Sequence, residues 1–223
     1  MSSIPLYEAF LTQAHGVCYL LSHAVIPIGL NIDPDLSVVR TFSFPVALEV
    51  IFIVGGLVYG VVALWRRPHL GFAILWFLFH TFVVYTVAAR TDVINERHLY
   101  PGSWGLSLLF AMALAYPFRA SRTSNNVFRL SACCLALFLT GATVVRNGVY
   151  RSETLLWQDT VNKSPGKARV HNNLGYAYYL SGDLEKARKA YMKALELNPT
   201  SVVSRNNLIL LDTDHRSPVS PRR

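Results

Sequence analysis

Apolar and polar positions follow two different rhythms along this chain. Between residues 45 and 146 apolar side chains run almost unbroken, interrupted by short arginine-bearing connections. From residue 150 onward they recur at three- and four-residue spacing among Lys, Glu and Asp, the pattern of amphipathic helices with a wet face. Crossing a bilayer takes about 20 apolar residues in a helix. Pro45–Trp65, with Glu49 as its only charge, and Leu70–Ala89, with none, both meet that length. Two runs further on, Trp104–Phe118 and Leu130–Val145, reach it only with flanking residues, as 102–118 and 127–146. The pattern predicts about four membrane helices within a transmembrane domain over 45–147.

Arginine placement orients these spans. Arg66-Arg67-Pro68-His69 joins the first pair, and Arg119, Arg122 and Arg129 lie between the third and fourth. Positive loops stay cytoplasmic, so the loop 90–101 and everything after Val145 face the other side. Ahead of the first span, Tyr7, Phe10, Leu11, Ala14, Cys18, Leu21 and Val25 share one helical face, and Glu8, Thr12, His15, Tyr19 and His23 the other. This predicts a helix lying along the membrane surface and ending before Pro27, within an extracytoplasmic segment 1–44. His15 and His23 stand about two turns apart, too far to share one ion, so the polar face is expected to be solvated. Asp33 and Asp35, in the turn tract Leu30-Asn31-Ile32-Asp33-Pro34-Asp35, carry the hard oxygen donors a divalent cation takes, although turn and capping roles suit them too.

The second rhythm has a longer period. Pro165 and Pro199 stand 34 positions apart, as do Trp157 and Tyr191, Asn173 and Asn207, and Leu174 and Leu208. That is the length of one tetratricopeptide helix–turn–helix unit. Ala168–Ser201 also carries its internal pattern in Leu174, Gly175, Tyr178, Ala187, Tyr191, Ala194 and Pro199. These are packing positions. The inner face of the repeat falls to Arg169, Asn172, Tyr176 and Tyr179, and one unit on to Val203 and Asn206. Asn there hydrogen-bonds an extended peptide and Tyr adds a contact of low entropic cost, so these residues are candidates for peptide binding. One full unit with a flanking helix on each side is short for a solenoid. The module 150–215 is therefore expected to pack on the membrane domain or a partner, and the Ser-, Pro- and Arg-rich tail 216–223 to be disordered.

Composition narrows the class. Of 223 residues 52% are hydrophobic and 15% charged, unusual for a protein in water. The net charge of +8 comes partly from loop arginines and the tail. No basic, aromatic-laced soluble face is evident, which argues against a nucleic-acid partner. Cys18, Cys133 and Cys134 offer little for a disulfide framework, and the two inside a predicted span, Cys133 and Cys134, read as small core residues; no metal site is expected. No basic n-region precedes an apolar core at the start, so a cleavable signal is not expected. Within the spans, His80 is expected to hydrogen-bond a neighbouring helix and Glu49 to reach the interface or a polar cavity.

The order of motifs is itself informative. Thr12-Gln13, Tyr19-Leu20-Leu21, Leu30-Asn31-Ile32-Asp33-Pro34-Asp35, then Glu96-Arg97-His98-Leu99-Tyr100-Pro101 after the second span, then the repeat behind the last span: this order resembles the C-terminal half of the transmembrane and tetratricopeptide-repeat-containing O-mannosyltransferases, bacterial relatives included. The resemblance implies an all-α polytopic glycosyltransferase of the GT-C type that moves a sugar from a polyprenyl-phosphate carrier to an extracytoplasmic protein. The acidic catalytic loop of that family precedes the resembling portion, so no residue of this chain is assigned a catalytic role. Within the loop 90–101, the planar donor fork of Arg97 suits phosphate oxygens. Glu96, Arg97, His98 and Tyr100, with Asp33 and Asp35, are the candidates for lipid-phosphate or substrate contact. The expected setting is a bacterial inner membrane or the endoplasmic reticulum, with the repeat on the extracytoplasmic side. A non-catalytic membrane-anchored repeat scaffold is the competing expectation.

Overall fold

The computed structural model describes residues 5–83, 99–116 and 122–214. Among them every regular element is helical: α1 (Leu6–Val25), α2 (Phe44–Arg66), α3 (Pro68–Leu78) continued by a π-helical turn (Phe79–Val83), α4 (Leu99–Ala115), α5 (Arg122–Val149), α6 (Glu153–Lys163), α7 (Ala168–Leu180), α8 (Leu184–Leu197) and α9 (Val202–Asp214). The all-α class follows as expected. Two compact units divide the chain: the first takes residues up to Ile32 with Leu36–Ala142, the second Asp33–Asp35 with the chain from Thr143.

In the first unit, α2 and α3 form a tight hairpin through Arg67, whose N–H donates to the Ala63 carbonyl at 2.7 Å. Pro68 opens α3 where its missing N–H costs nothing. The two helices touch backbone to backbone, because a Cβ on Gly71 would lie 2.5 Å from the Leu64 nitrogen. Ala14 and Val17 of α1, Ile53 of α2, Phe77 and Leu78 of α3, Phe82 of the π turn and Leu106 of α4 make its core. Phe10 meets Phe82 edge to face at 5.2 Å. The π turn begins where Thr81 donates its hydroxyl to the Phe77 carbonyl at 2.7 Å, a side-chain bond that competes with the regular ladder.

Two helices, Phe44–Arg66 and Asn126–Val149, are long and apolar enough to cross a membrane. Pro68–Phe82 and Leu99–Ala115 are apolar but shorter. α2 buries Val46, Ile53 and Ala63 but turns Ile51, Phe52 and Trp65 outward, and on α5 Leu137, Phe138 and Val145 are exposed. A core helix of a water-soluble protein buries such residues. Outward apolar side chains on helices of this length suit hydrocarbon.

The polar face of α1 is less solvated than its spacing implies. Thr12 is buried, donating to the Glu8 carbonyl and accepting from the Val39 N–H at 2.9 Å. The chain around Val39 packs on this side, so the short hydroxyl replaces water for a backbone group.

The second unit is amphipathic throughout. Ser152 caps α6 by accepting from the Leu155 N–H, and Asp183 caps α8 by accepting from the Lys186 N–H. Ala187, Tyr191 and Leu211 form its buried centre, with Tyr178, Tyr179, Leu184 and Leu208 against them. Gly175 is obligatory for the α7–α8 approach, since a Cβ there would sit 2.6 Å from the Tyr191 ring. Burial first, then the nearby Tyr176 and Tyr179, pushes the Tyr191 hydroxyl up to about 12.

Candidate functional site

Two groups of sequence candidates meet in the second unit. Asp33, fully buried, accepts from Lys167 Nζ at 2.6 Å and from the Arg169 fork, Nη2 to Oδ1 at 2.5 Å and Nε to Oδ2 at 2.9 Å. Lys167 also donates to the Pro34 carbonyl at 2.8 Å, and Ser164 Oγ to the Asp33 carbonyl at 3.0 Å. The turn Ser164-Pro165-Gly166-Lys167 and the first turn of α7 thus hold an Asp-Pro-Asp tract more than 130 positions away in sequence. Gly166 leaves room beside the exposed Asp35, whose Oδ2 would lie 3.0 Å from a Cβ there. Charge-assisted bidentate bonds of this kind are the strong ones. A cation at Asp33 would have to compete with an ammonium and a guanidinium already seated on both its oxygens. Arg169, expected to meet a peptide on the inner face, meets Asp33 in this structure.

The remaining inner-face candidates divide. Asn172 is buried, its Oδ1 accepting from Asn207 Nδ2 at 3.0 Å, so it joins α7 to α9. Tyr176 is half exposed and stacks on Tyr179 with centroids 6.4 Å apart. Asn206 and Val203 are exposed on α9. An aromatic pair with an open amide on the next helix remains available to a ligand.

Tyr100 opens α4 exposed, beside a Trp76 Nε1 donation to the Pro101 carbonyl at 2.7 Å. Glu96, Arg97 and His98 lie outside the described residues. Among the described residues no three His, Cys, Asp or Glu side chains converge as metal ligands. In the first unit the structure pairs two residues the sequence treated separately: His15 Nδ1 lies 2.9 Å from Glu49 Oε1. Lys167 and Ser164 were not foreseen; a Ser-Pro-Gly-Lys turn preceding a helix was their only local signal.

A second cluster joins the end of α5 to the repeat. Asp159 Oδ2 accepts from Arg146 Nη1 and from Lys163 Nζ, each at 2.7 Å, and Arg146 lies over the Tyr150 ring at 5.2 Å. Burial pushes the Asp159 carboxyl up, but the hydrogen bonds from Lys163 and Arg146 outweigh it and hold the group below its ordinary value. Asp183 is likewise held low by its bond from Lys186.

These features define a helical protein with membrane-length apolar helices and one tetratricopeptide unit. Residues 168–201 match the tetratricopeptide repeat family. Among curated proteins the chain is 29% identical to protein O-mannosyl-transferase TMTC3 of Mus musculus over 119 residues, 52% of this chain and 12% of that protein. It is 33% identical to protein O-mannosyl-transferase tmtc2 of Xenopus laevis over 105 residues, 46% of this chain and 12% of that one. For TMTC1 of Mus musculus the figures are 33% over 125 residues, 55% and 13%. The chain is therefore similar to the protein O-mannosyl-transferases over about half its own length, and the match spans only about an eighth of theirs. No solved structure matches it.

Proposed function

We propose that the chain is the C-terminal portion of a membrane-embedded protein O-glycosyltransferase of the GT-C type, whose repeat handles the acceptor protein outside the cytoplasm. The observation that carries this reading is the similarity to proteins named O-mannosyl-transferases, in a chain that also places a tetratricopeptide unit behind apolar helices. The donor is a polyprenyl-phosphate sugar, with Glu96, Arg97, His98 and Tyr100 as its phosphate contacts. The acceptor peptide lies along Tyr176, Tyr179 and Asn206. Four membrane spans, the two shorter apolar helices included, put the repeat and the loop 90–101 on the same side.

The test is mannose transfer from polyprenyl-phosphate mannose to Ser/Thr peptides by the full chain in lipid vesicles. Transfer that Arg97→Ala reduces at least tenfold supports the reading; no transfer by the intact chain sinks it. A glycosylation-acceptor tag after Arg223 that stays unmodified in microsomes contradicts the proposed side. The scaffold reading draws on one observation: the buried candidate acid Asp33 is consumed by Lys167 and Arg169. It predicts peptide binding without transfer.

A further inference from the structure

The two ends of the first unit differ in chemistry. α2 and α3 are joined at Arg67, and α4 runs antiparallel to α3. A Cβ on Gly102 would meet the Thr81 side chain at 2.9 Å, and one on Gly105 would meet the Ala73 carbonyl. Rising numbers on α4 therefore face falling numbers on α3, and the last turn of α4 points to the end that carries the α2–α3 connection. Trp65, 89% exposed, and Tyr116, 73% exposed, stand at that end. Arg66 and Arg67 are exposed there as well. The chain leaves α4 at the same end, and residues 117–129 add three arginines and no acid.

These cations have no counter-charge of their own. Neither 50–91 nor 97–152 contains an Asp or Glu. Glu49, the last acid before Arg66, lies near the other end of α2, about 25 Å along the axis at 1.5 Å per residue. It is already held by His15 at 2.9 Å. Asp92 and Glu96 belong to the stretch that joins the far ends of α3 and α4. Among the described residues neither Arg66 nor Arg67 forms an ion pair. The second unit treats its cations differently: Arg146, Lys167, Arg169 and Arg188 each sit on a carboxylate. A planar guanidinium fork binds phosphate oxygens in pairs, and an exposed indole settles at headgroup depth.

We propose that this end of the first unit is a contact surface for anionic phospholipid headgroups, with Arg66 and Arg67 as the phosphate donors and Trp65 fixing their depth. The net negative charge of such a headgroup supplies the counter-charge that the helices lack, and a zwitterionic lipid does not. The surface gathers acidic lipid around the α2–α3 hairpin and holds the hairpin at one depth. The inference rests on the helices lying in a membrane and is independent of the transferase reading.

The test compares spin-labelled phosphatidylserine with spin-labelled phosphatidylcholine, bound to the full chain in phosphatidylcholine vesicles. The motionally restricted fraction of each, read by electron spin resonance, gives their relative association. One basic residue near the surface favours acidic lipid by about fivefold. Wild type therefore prefers the serine lipid, and Arg66→Gln with Arg67→Gln lowers the ratio about threefold or more. Arg66→Lys with Arg67→Lys keeps the preference, and so does Arg40→Gln on the exposed chain ahead of α2. Salt at about 1 M, where the Debye length is about 3 Å, weakens it. Equal association of the two lipids with wild type overturns the proposal, as does a preference that survives the double Gln change. Equal loss in the Lys variant shows a role in hairpin structure only and overturns it. Displacement by inorganic phosphate beyond that by chloride at matched ionic strength shows a free-anion site and overturns it too. No restricted lipid of either kind removes the membrane premise along with the proposal.

Discussion

Helices α5 and α8 are built from the same backbone geometry and answer to different solvents. On α8 the small residues Ala187, Ala190 and Ala194 and the large Tyr191 are buried, and Lys and Glu take the other side. The membrane-length part of α5 buries nothing: Leu137, Phe138, Val144 and Val145 all face outward. A helix in water is held by taking its apolar face out of solvent, worth about 1.5–3 kcal/mol per large side chain. A helix in hydrocarbon gains nothing that way, and only close packing or polar contacts hold it to neighbours. Equal substitutions in the two helices must therefore have unequal effects.

The largest effect expected is for Gly175→Val. Its side chain drives into the Tyr191 ring between two helices that cannot part without opening the repeat, a loss of about 3 kcal/mol or more. Amide hydrogen exchange of α7 to α9 in the intact chain, in micelles, measures it; protection within about tenfold of wild type would refute the close approach. Leu211→Ala, which empties a fully buried site on α9, is expected to cost about 3 kcal/mol by the same readout. Leu137→Ala on α5 removes the same atoms from a lipid-facing position and serves as its counterpart.

Next in size is Asp33→Asn, which leaves Lys167 and Arg169 without their counter-charge. Stripping one partner from a fully buried pair costs about 3–5 kcal/mol. Here both cations keep some water, so about 2 kcal/mol is expected. Adding Lys167→Met and Arg169→Met should recover part of it, and a double-mutant cycle showing no coupling would break the clasp argument.

Acid acts more gently. Asp159 and Asp183 have carboxyls held below their ordinary value. Their contribution is present above the unfolded carboxylate pKa of about 4 and is lost as pH falls through the lower folded values. The melting temperature of the repeat is thus flat from pH 7 to about 5 and declines below about 4. A decline starting near pH 6 would point to histidine instead. Smallest of all is Leu137→Ala, within about 0.5 kcal/mol; a loss as large as that of Leu211→Ala would show that α5 has a packed partner.

The repeat was almost wholly legible in the sequence because its cause is local. Leu174, Gly175, Ala187, Tyr191 and Ala194 are packing residues of one helix pair joined by a short turn, and period alone locates them. Residues 168–201, read from that period, are the ones that match the family. The helical class was legible for the same reason. The pairings were not. Asp33 reads as a turn acid, and Arg169 as a repeat surface residue. Nothing in spacing says that they meet, because the bond depends on where a distant tract lands. His15 and Glu49 were judged separately, one as solvated and one as interfacial, for the same reason. Periodicity tells which face of a helix is wet; it does not name the partner across the gap.

The Asp33 clasp has a consequence for the order of synthesis. Its partners Lys167 and Arg169 follow it by 134 and 136 positions. At about 5–20 residues per second, Asp33 waits on the order of ten seconds before either exists. Through that interval its charge stays hydrated, and the tract waits open for a later arrival. A stretch of chain made more than 130 residues later completes the contact.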